Sequence, residues 1–298
     1  MPFRHIFSQW FRAKTQETVR RTVQQAAADH LARERENLES AAGGDPICEV
    51  GFVFALEIEA GGLVDLLKRS VTVRGKALTV RRGMLDGRRV VVATTGAGQA
   101  RARRATEALI EAHHPRWIVS AGFAGGLRPE LHRHDLVMAD ALVGSDGRRM
   151  ALDLRVDRAT LPEGVHVGAL VTVEQVVRRP EEKRRLGEQT GALAVDTETL
   201  AVAAVCQERH VSMLAVRVLT DAVDETLPAD VQHLTDQTTL ASQLGAALGT
   251  VWRRPKSVKD LWGLKETALV GSDRLAKFLV DLIKTLGPPP PALENSEK

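Results

Sequence analysis

Four side chains in this sequence stand where apolar runs end, and their types suit acid-base chemistry. Glu59 closes the cluster Glu57-Ile58-Glu59 after the apolar run 48–56, and Glu198 lies in Ala194-Val195-Asp196-Thr197-Glu198-Thr199-Leu200-Ala201. Arg217 and Asp221 fall in Leu214-Ala215-Val216-Arg217-Val218-Leu219-Thr220-Asp221. A carboxylate accepts a proton from water or holds hydroxyl groups through its two oxygens. A carboxylic acid whose pKa is raised by burial or by a neighbouring anion delivers a proton instead. Two glycine-rich stretches, Gly96-Ala97-Gly98 and Gly122-Phe123-Ala124-Gly125-Gly126, follow apolar runs as well. Glycines there permit positive φ and a close approach of backbone amides to a ligand.

Positioning these groups calls for alternating strands and helices. The run 48–56 reads as a buried strand and 57–68 as the helix after it, while 71–81 and 82–95, with a turn at Asp86-Gly87, read as a pair of strands. A helix is expected from Gly98 to about His113, strands at 117–121, 136–143, 165–173 and 211–219, and helices at 179–189, 196–209 and 235–252. That order predicts a three-layer α/β/α fold on a mixed, mostly parallel sheet. In open sheets of this kind ligands bind at the carboxyl ends of the strands, where all four side chains fall.

The landmarks and their order resemble the nucleoside phosphorylase and nucleosidase superfamily, and most of all the bacterial 5'-methylthioadenosine/S-adenosylhomocysteine nucleosidases, over roughly residues 49 to 250. The resemblance implies a homodimeric purine nucleosidase that releases adenine from a 5'-substituted adenosine. Asp221 matches the family residue that protonates the leaving base, and Glu198 the one that accepts hydrogen bonds from both ribose hydroxyls. Glu59 matches the carboxylate that activates water, with Glu57 as its competitor. Arg217 matches a residue that holds the water or an anion beside the sugar. Each also has a plainer reading: a turn residue for Asp221, first-turn helix carboxylates for Glu59 and Glu198 that suit the helix dipole, and a structural ion pair of Arg217 with Glu59 or Asp196.

The substrate contacts implied by the resemblance are Thr197, Phe123, Ala124, Gly125, Val176 and Val177. Several depart from the family pattern. Phe123 stands in place of a small hydroxyl residue near the water, Thr197 in place of a Met that packs on the ribose, and Val176-Val177 in place of a Phe-Ile pair beside the purine. The family's Gly-Asp-Pro phosphate loop would follow the first strand, whereas Gly44-Asp45-Pro46 precedes it with no Arg behind. A carboxylate such as Glu59 repels phosphate while it activates water, so hydrolysis is expected over phosphorolysis. Two further readings stay open, cleavage of a lipid-linked, adenosylhopane-type nucleoside and an inactive nucleoside-binding scaffold.

Bulk properties narrow the classes. With 41 basic and 38 acidic residues in 298, and a formal charge of +3, the surface is mixed and unlike that of a nucleic-acid binder. Cys48 and Cys206 sit in apolar runs without metal spacing, and His113-His114 and His132-x-His134 lack a third ligand, so neither metal nor cofactor is expected. The chain divides into a helix and linker (1–46), a catalytic domain (47–252) and a C-terminal helical extension (253–298) with a disordered end. In the first helix Phe3, Ile6, Phe7, Trp10 and Phe11 share a face beside Arg4, Arg12 and Lys14. Residues 1–21 are therefore expected to meet a membrane surface or a protein partner, or to cover the apolar stripe of the C-terminal helix, in a cytoplasmic protein.

Overall fold

The computed structural model describes residues 48–75, 78–228 and 255–287, with side chains described from 266 onward in the last segment. The expected N-terminal amphipathic helix, the helix at 235–252 and the disordered end lie outside these residues.

Ten strands and five α-helices make up the described fold. The strands are β1 (Val50–Phe54), β2 (Lys68–Arg74), β3 (Thr79–Leu85), β4 (Arg88–Thr94), β5 (Trp117–Gly126), β6 (Leu136–Gly144), β7 (Arg149–Ala151), β8 (Val165–Thr172), β9 (Ala194–Asp196) and β10 (Ser212–Asp221). The helices are α1 (Glu57–Asp65), α2 (Gln99–His113), α3 (Pro180–Thr190), α4 (Thr199–Glu208) and α5 (Pro255–Thr285). Strands β4, β1, β5 and β10 pair in parallel, while β2, β3 and β4 form an antiparallel edge. On the other side β5, β10, β6, β8 and β9 pair in turn until β9 returns to β5, so this part of the sheet closes on itself.

The period-two side-chain alternation of strands distributes the core between two faces. Val53, Val91, Ala93 and Ile118 pack with Ala102, Leu109, Val202 and Cys206 of α2 and α4. Phe52, Phe54, Val92 and Val119 pack with Leu63 of α1 and Leu275, Leu279 and Ile283 of α5. Every residue of β1 is buried, as a central strand covered on both faces requires. The edge strand β2, Lys-Arg-Ser-Val-Thr-Val-Arg, is exposed throughout and carries the charge that discourages edge pairing. Both cysteines are free and buried, and burial pushes each thiol up to about 12, which leaves them unreactive.

Several boundaries differ from expectation. The stretch 71–81 is not one strand, because the chain turns between β2 and β3. The Asp86-Gly87 turn falls where expected, with φ of 49° and 80°, the double positive φ of a tight hairpin. Gly122 to Gly126 continue β5 instead of forming a loop, since β9 and β10 flank them and take up their backbone groups. The expected C-terminal helical extension is one helix, α5, and its second half is integral to the core. Leu275, Leu279 and Ile283 are fully buried, packed with α1 and the sheet.

Helix α5 also braces the start of α1. A Cβ on Gly62 would lie 2.8 Å from the Ser272 carbonyl oxygen, so the two helices approach more closely than a side chain would allow. The Ser272 hydroxyl accepts from the Gly62 amide at 2.9 Å and donates to the Glu59 carbonyl at 3.2 Å. Among the described residues no helix is long and apolar enough to cross a membrane.

Truncating the brace should be felt globally. Leu279→Ala removes a fully buried side chain and is expected to destabilise by about 2 to 5 kcal/mol in urea unfolding. A midpoint unchanged from the parent would show that α5 is not part of the core.

Candidate active site

Strands β1, β4, β5 and β10 run in one direction, so their carboxyl ends meet at one edge and open into a small cavity. Its wall includes Glu59, Thr95, Ser120, the Gly122-Phe123 backbone, Glu198 and Arg217. The sequence places the first turn of α1 directly after β1, which carries Glu59 into this space.

Glu59 is buried, and three backbone amides hold its carboxylate. Ala55 and Leu56 donate to Oε2 at 2.9 and 2.8 Å, and Phe123 donates to Oε1 at 2.9 Å. Burial raises its pKa from 4.5 to about 7, with Glu198 adding to the rise, while the amide donors and Arg217 oppose it. Gly122 makes the arrangement possible, because a Cβ there would fall 2.9 Å from Glu59 Oε1. Glu57 faces other partners. It accepts from Arg81 at 2.6 Å and from the Thr94 hydroxyl at 2.6 Å, which accounts for its charge structurally.

Arg217 is 3% exposed and is held in place on several sides. Its Nε and Nη2 donate to Asp196 Oδ2 at 3.0 and 2.7 Å, Nη2 also to the Ser120 hydroxyl at 2.9 Å, and Nη1 to the Val216 carbonyl at 3.0 Å. Asp196 is satisfied in turn by the Thr172 hydroxyl at 2.7 Å and by the Thr199 amide and hydroxyl. Of the two ion-pair partners the sequence suggested, the contact is with Asp196. That residue ends β9 instead of opening α4, because β5 and β8 pair with this short segment.

Glu198 caps α4. Its Oε1 accepts from the Gly98 amide at 2.7 Å and the Thr197 hydroxyl at 2.6 Å, leaving Oε2 without a protein partner among the described residues. Burial and the neighbouring Asp196 charge raise its pKa. Glu59 and Glu198 thus share one water-poor space, with Arg217 moderating their mutual repulsion.

The remaining candidates sit elsewhere. Asp221 ends β10 and is buried, but it does not border the Glu59 cavity; it pairs with Lys183 of α3 and accepts from the Thr220 hydroxyl at 2.7 Å. Burial raises its pKa, and the Lys183 charge opposes the rise. Thr197 serves Glu198. Phe123 lends the cavity its backbone, while its ring lies toward α5, where a methyl group built on Gly271 would meet it at 3.7 Å. Ala124 is core, Gly125 abuts Asp221, and Val176 and Val177 are half-buried after β8, the latter against the apolar cluster that contains Leu127 and Val171. None of these last four borders the cavity.

Three contributors escaped the sequence reading. Thr95 directly precedes the first glycine stretch, and Ser120 is the one polar residue in the run 117–121, signals that were available. Lys183 lies in Pro-Glu-Glu-Lys-Arg-Arg, where nothing in the charge pattern marks it as buried.

A sequence model of the phosphorylase superfamily matches residues 47–251. The 5'-methylthioadenosine/S-adenosylhomocysteine nucleosidase of Aeromonas salmonicida is 26% identical over 200 residues, covering 58% of this chain and 86% of that protein. The protein of the same name from Staphylococcus haemolyticus is 24% identical over 195 residues, with the same coverages. Among solved structures, the Neisseria meningitidis nucleosidase in complex with methylthio-immucillin-A superposes with a TM-score of 0.62 at 21% identity, covering 80% of this chain and 99% of that one. The futalosine hydrolase of Helicobacter pylori gives 0.58 at 18%, covering 80% and 99%.

The buried pair makes a sharp contrast with surface pairs. Asp196→Ala strands Arg217 and should cost about 3 to 5 kcal/mol in denaturant unfolding, whereas Asp146→Ala, which breaks an exposed pair with Arg148, should stay within about 1 kcal/mol. Equal losses for both would refute the clamp.

Proposed function

The chain belongs to the phosphorylase superfamily, and on that premise we propose that it is a purine nucleosidase that hydrolyses the N-glycosidic bond of a 5'-substituted adenosine. The observation that carries the reading is Glu59: a carboxyl group with its pKa raised to about 7, lining a cavity beside a second carboxylate and a clamped arginine.

In this mechanism the Glu59 carboxylate takes a proton from water as the water oxygen bonds to the anomeric carbon. The three amides fix its orientation, so little reorganisation accompanies the transfer. Glu198 uses its free oxygen to accept from the ribose hydroxyls and favours the positive charge that develops on the sugar. The base leaves with the glycosidic electron pair and receives a proton from Asp221, four residues and roughly 13 Å of strand beyond Arg217. Arg217 reaches no free carboxylate. It holds the floor of the cavity, and its charge favours the ionised forms of Glu59 and Glu198.

A 5'-substituted adenosine is favoured by the names of the curated relatives, at about a quarter identity over the shared domain. Phosphate is disfavoured as the acceptor, because two carboxylates face the cavity and Arg217, the one arginine among the described residues of its wall, is already engaged with Asp196 and Ser120.

Chromatographic detection of free base from a panel of purine nucleosides tests the proposal, with 5'-methylthioadenosine expected among those cleaved; a panel with no base released would reject it. Because water activation needs the ionised carboxylate, the acid limb of kcat/KM should rise with pH through about 7. Glu59→Gln should abolish this acid limb and lower the rate on the order of 100- to 10,000-fold. An intact limb in that variant would assign the base elsewhere.

A further inference from the structure

Lys183 is fully buried, an unusual place for a lysine. Its ammonium lies 2.5 Å from Asp221 Oδ2 and donates to the carbonyls of Ala222 and Glu225, each at 2.8 Å. Two carbonyls thus hold the ammonium, and it faces Oδ2 as an ion pair where water does not reach it. The side chain thereby ties helix α3 to the end of β10 and to the segment just after it.

That segment is itself anchored. Glu225 Oε2 accepts from the Ala222 amide at 3.0 Å and from Arg133 Nη2 at 2.8 Å, and Arg133 Nη1 reaches the Thr267 hydroxyl of α5 at 3.0 Å. The other oxygen of Asp221 accepts from Thr220, and Gly125 of β5 leaves room for the carboxylate, since a Cβ there would lie 3.1 Å from Oδ2. The charged groups around Asp221 are therefore Lys183 from α3 and Glu225 from the following turn, the latter paired with Arg133; the β5 neighbours Gly125 and Gly126 bring none.

We propose that Lys183 is the positioning residue of the acid site: clamped by two carbonyls, its ammonium fixes the Asp221 carboxyl group at the end of β10 and sets the pH above which that group stops supplying a proton to the leaving base. This rests on the reading of Asp221 as the proton donor. Lys183 itself touches no substrate. During turnover the proton moves from the Asp221 carboxyl to a base nitrogen while the glycosidic electrons go to the departing ring, and Asp221, left as a carboxylate beside the ammonium, is reprotonated from solvent before the next cycle.

The sign of the effect follows from the pair. Activity requires the protonated carboxyl, so it falls as pH rises through the Asp221 pKa. The ammonium favours the carboxylate and brings that fall to lower pH. Removing the positive charge must move the alkaline limb upward.

The test is the alkaline limb of kcat/KM for base release in the full chain and in Lys183→Gln, Lys183→Arg and Asp221→Asn. Glutamine can still donate to the Ala222 or Glu225 carbonyl without carrying charge. Its limb is expected to move up by about one pH unit or more, the usual effect of an opposite charge at this range, with arginine restoring the parent position. A limb in Lys183→Gln that coincides with the parent's, while Asp221→Asn has lost the limb altogether, overturns the role of Lys183 and leaves the nucleosidase reading intact. A limb that persists in Asp221→Asn removes Asp221 as the donor and takes both down. Should Lys183→Gln fail to fold, Lys183→Arg decides alone: a folded enzyme with its limb above the parent's contradicts the proposal.

Discussion

The buried pair of Arg217 and Asp196 is the constraint on which the site depends. Removing a guanidinium and a carboxylate from water carries a large penalty, offset only when every donor and acceptor finds a partner. Here the partners come from three strands and the start of a helix: Thr172 from β8, Ser120 from β5, Val216 from β10, and Thr199 at the opening of α4. Each must be in register for the pair to be tolerated. The same register sets Gly122 opposite Arg217 and brings the Phe123 amide to Glu59. Satisfying one buried charge therefore fixes the geometry of the next.

Helices beyond the sheet finish the work. The turn bearing Glu59 is held by Ser272 of α5, the carboxylate of Glu198 by the amide of Gly98 at the mouth of α2, and Asp221 by Lys183 of α3. Three carboxyl groups are kept from water with three different counterweights: amide dipoles for Glu59, an amide and a hydroxyl for Glu198, and a full positive charge for Asp221. Their pKa values rise for the common reason of burial. They remain chemically distinct because their partners differ, which is what the proposed base, binding and acid roles require.

Much of this was legible in the chain. Uninterrupted apolar runs such as Val50–Phe54 reveal buried strands, and carboxylates directly after them mark the ends where chemistry gathers. Pairing that depends on distant segments was not legible. Asp196 reads as the start of a helix because the two strands that capture Ala194–Asp196 are remote in sequence, and Gly122 to Gly126 read as a loop for the same reason. Helix α5 reads as an appendage because its apolar stripe does not name its partner. Lys183 is the extreme case: four charged neighbours in Glu181-Glu182-Lys183-Arg184-Arg185 disguise the one residue that turns inward.

The central claim is that the carboxylates of this cavity direct water, and not phosphate, at the anomeric carbon. Identifying the sugar product of 5'-methylthioadenosine turnover by mass spectrometry, across increasing inorganic phosphate, tests it most directly. Free 5-methylthioribose at a rate that does not respond to phosphate is the predicted result. Formation of 5-methylthioribose 1-phosphate, at a rate that rises with phosphate, would contradict it.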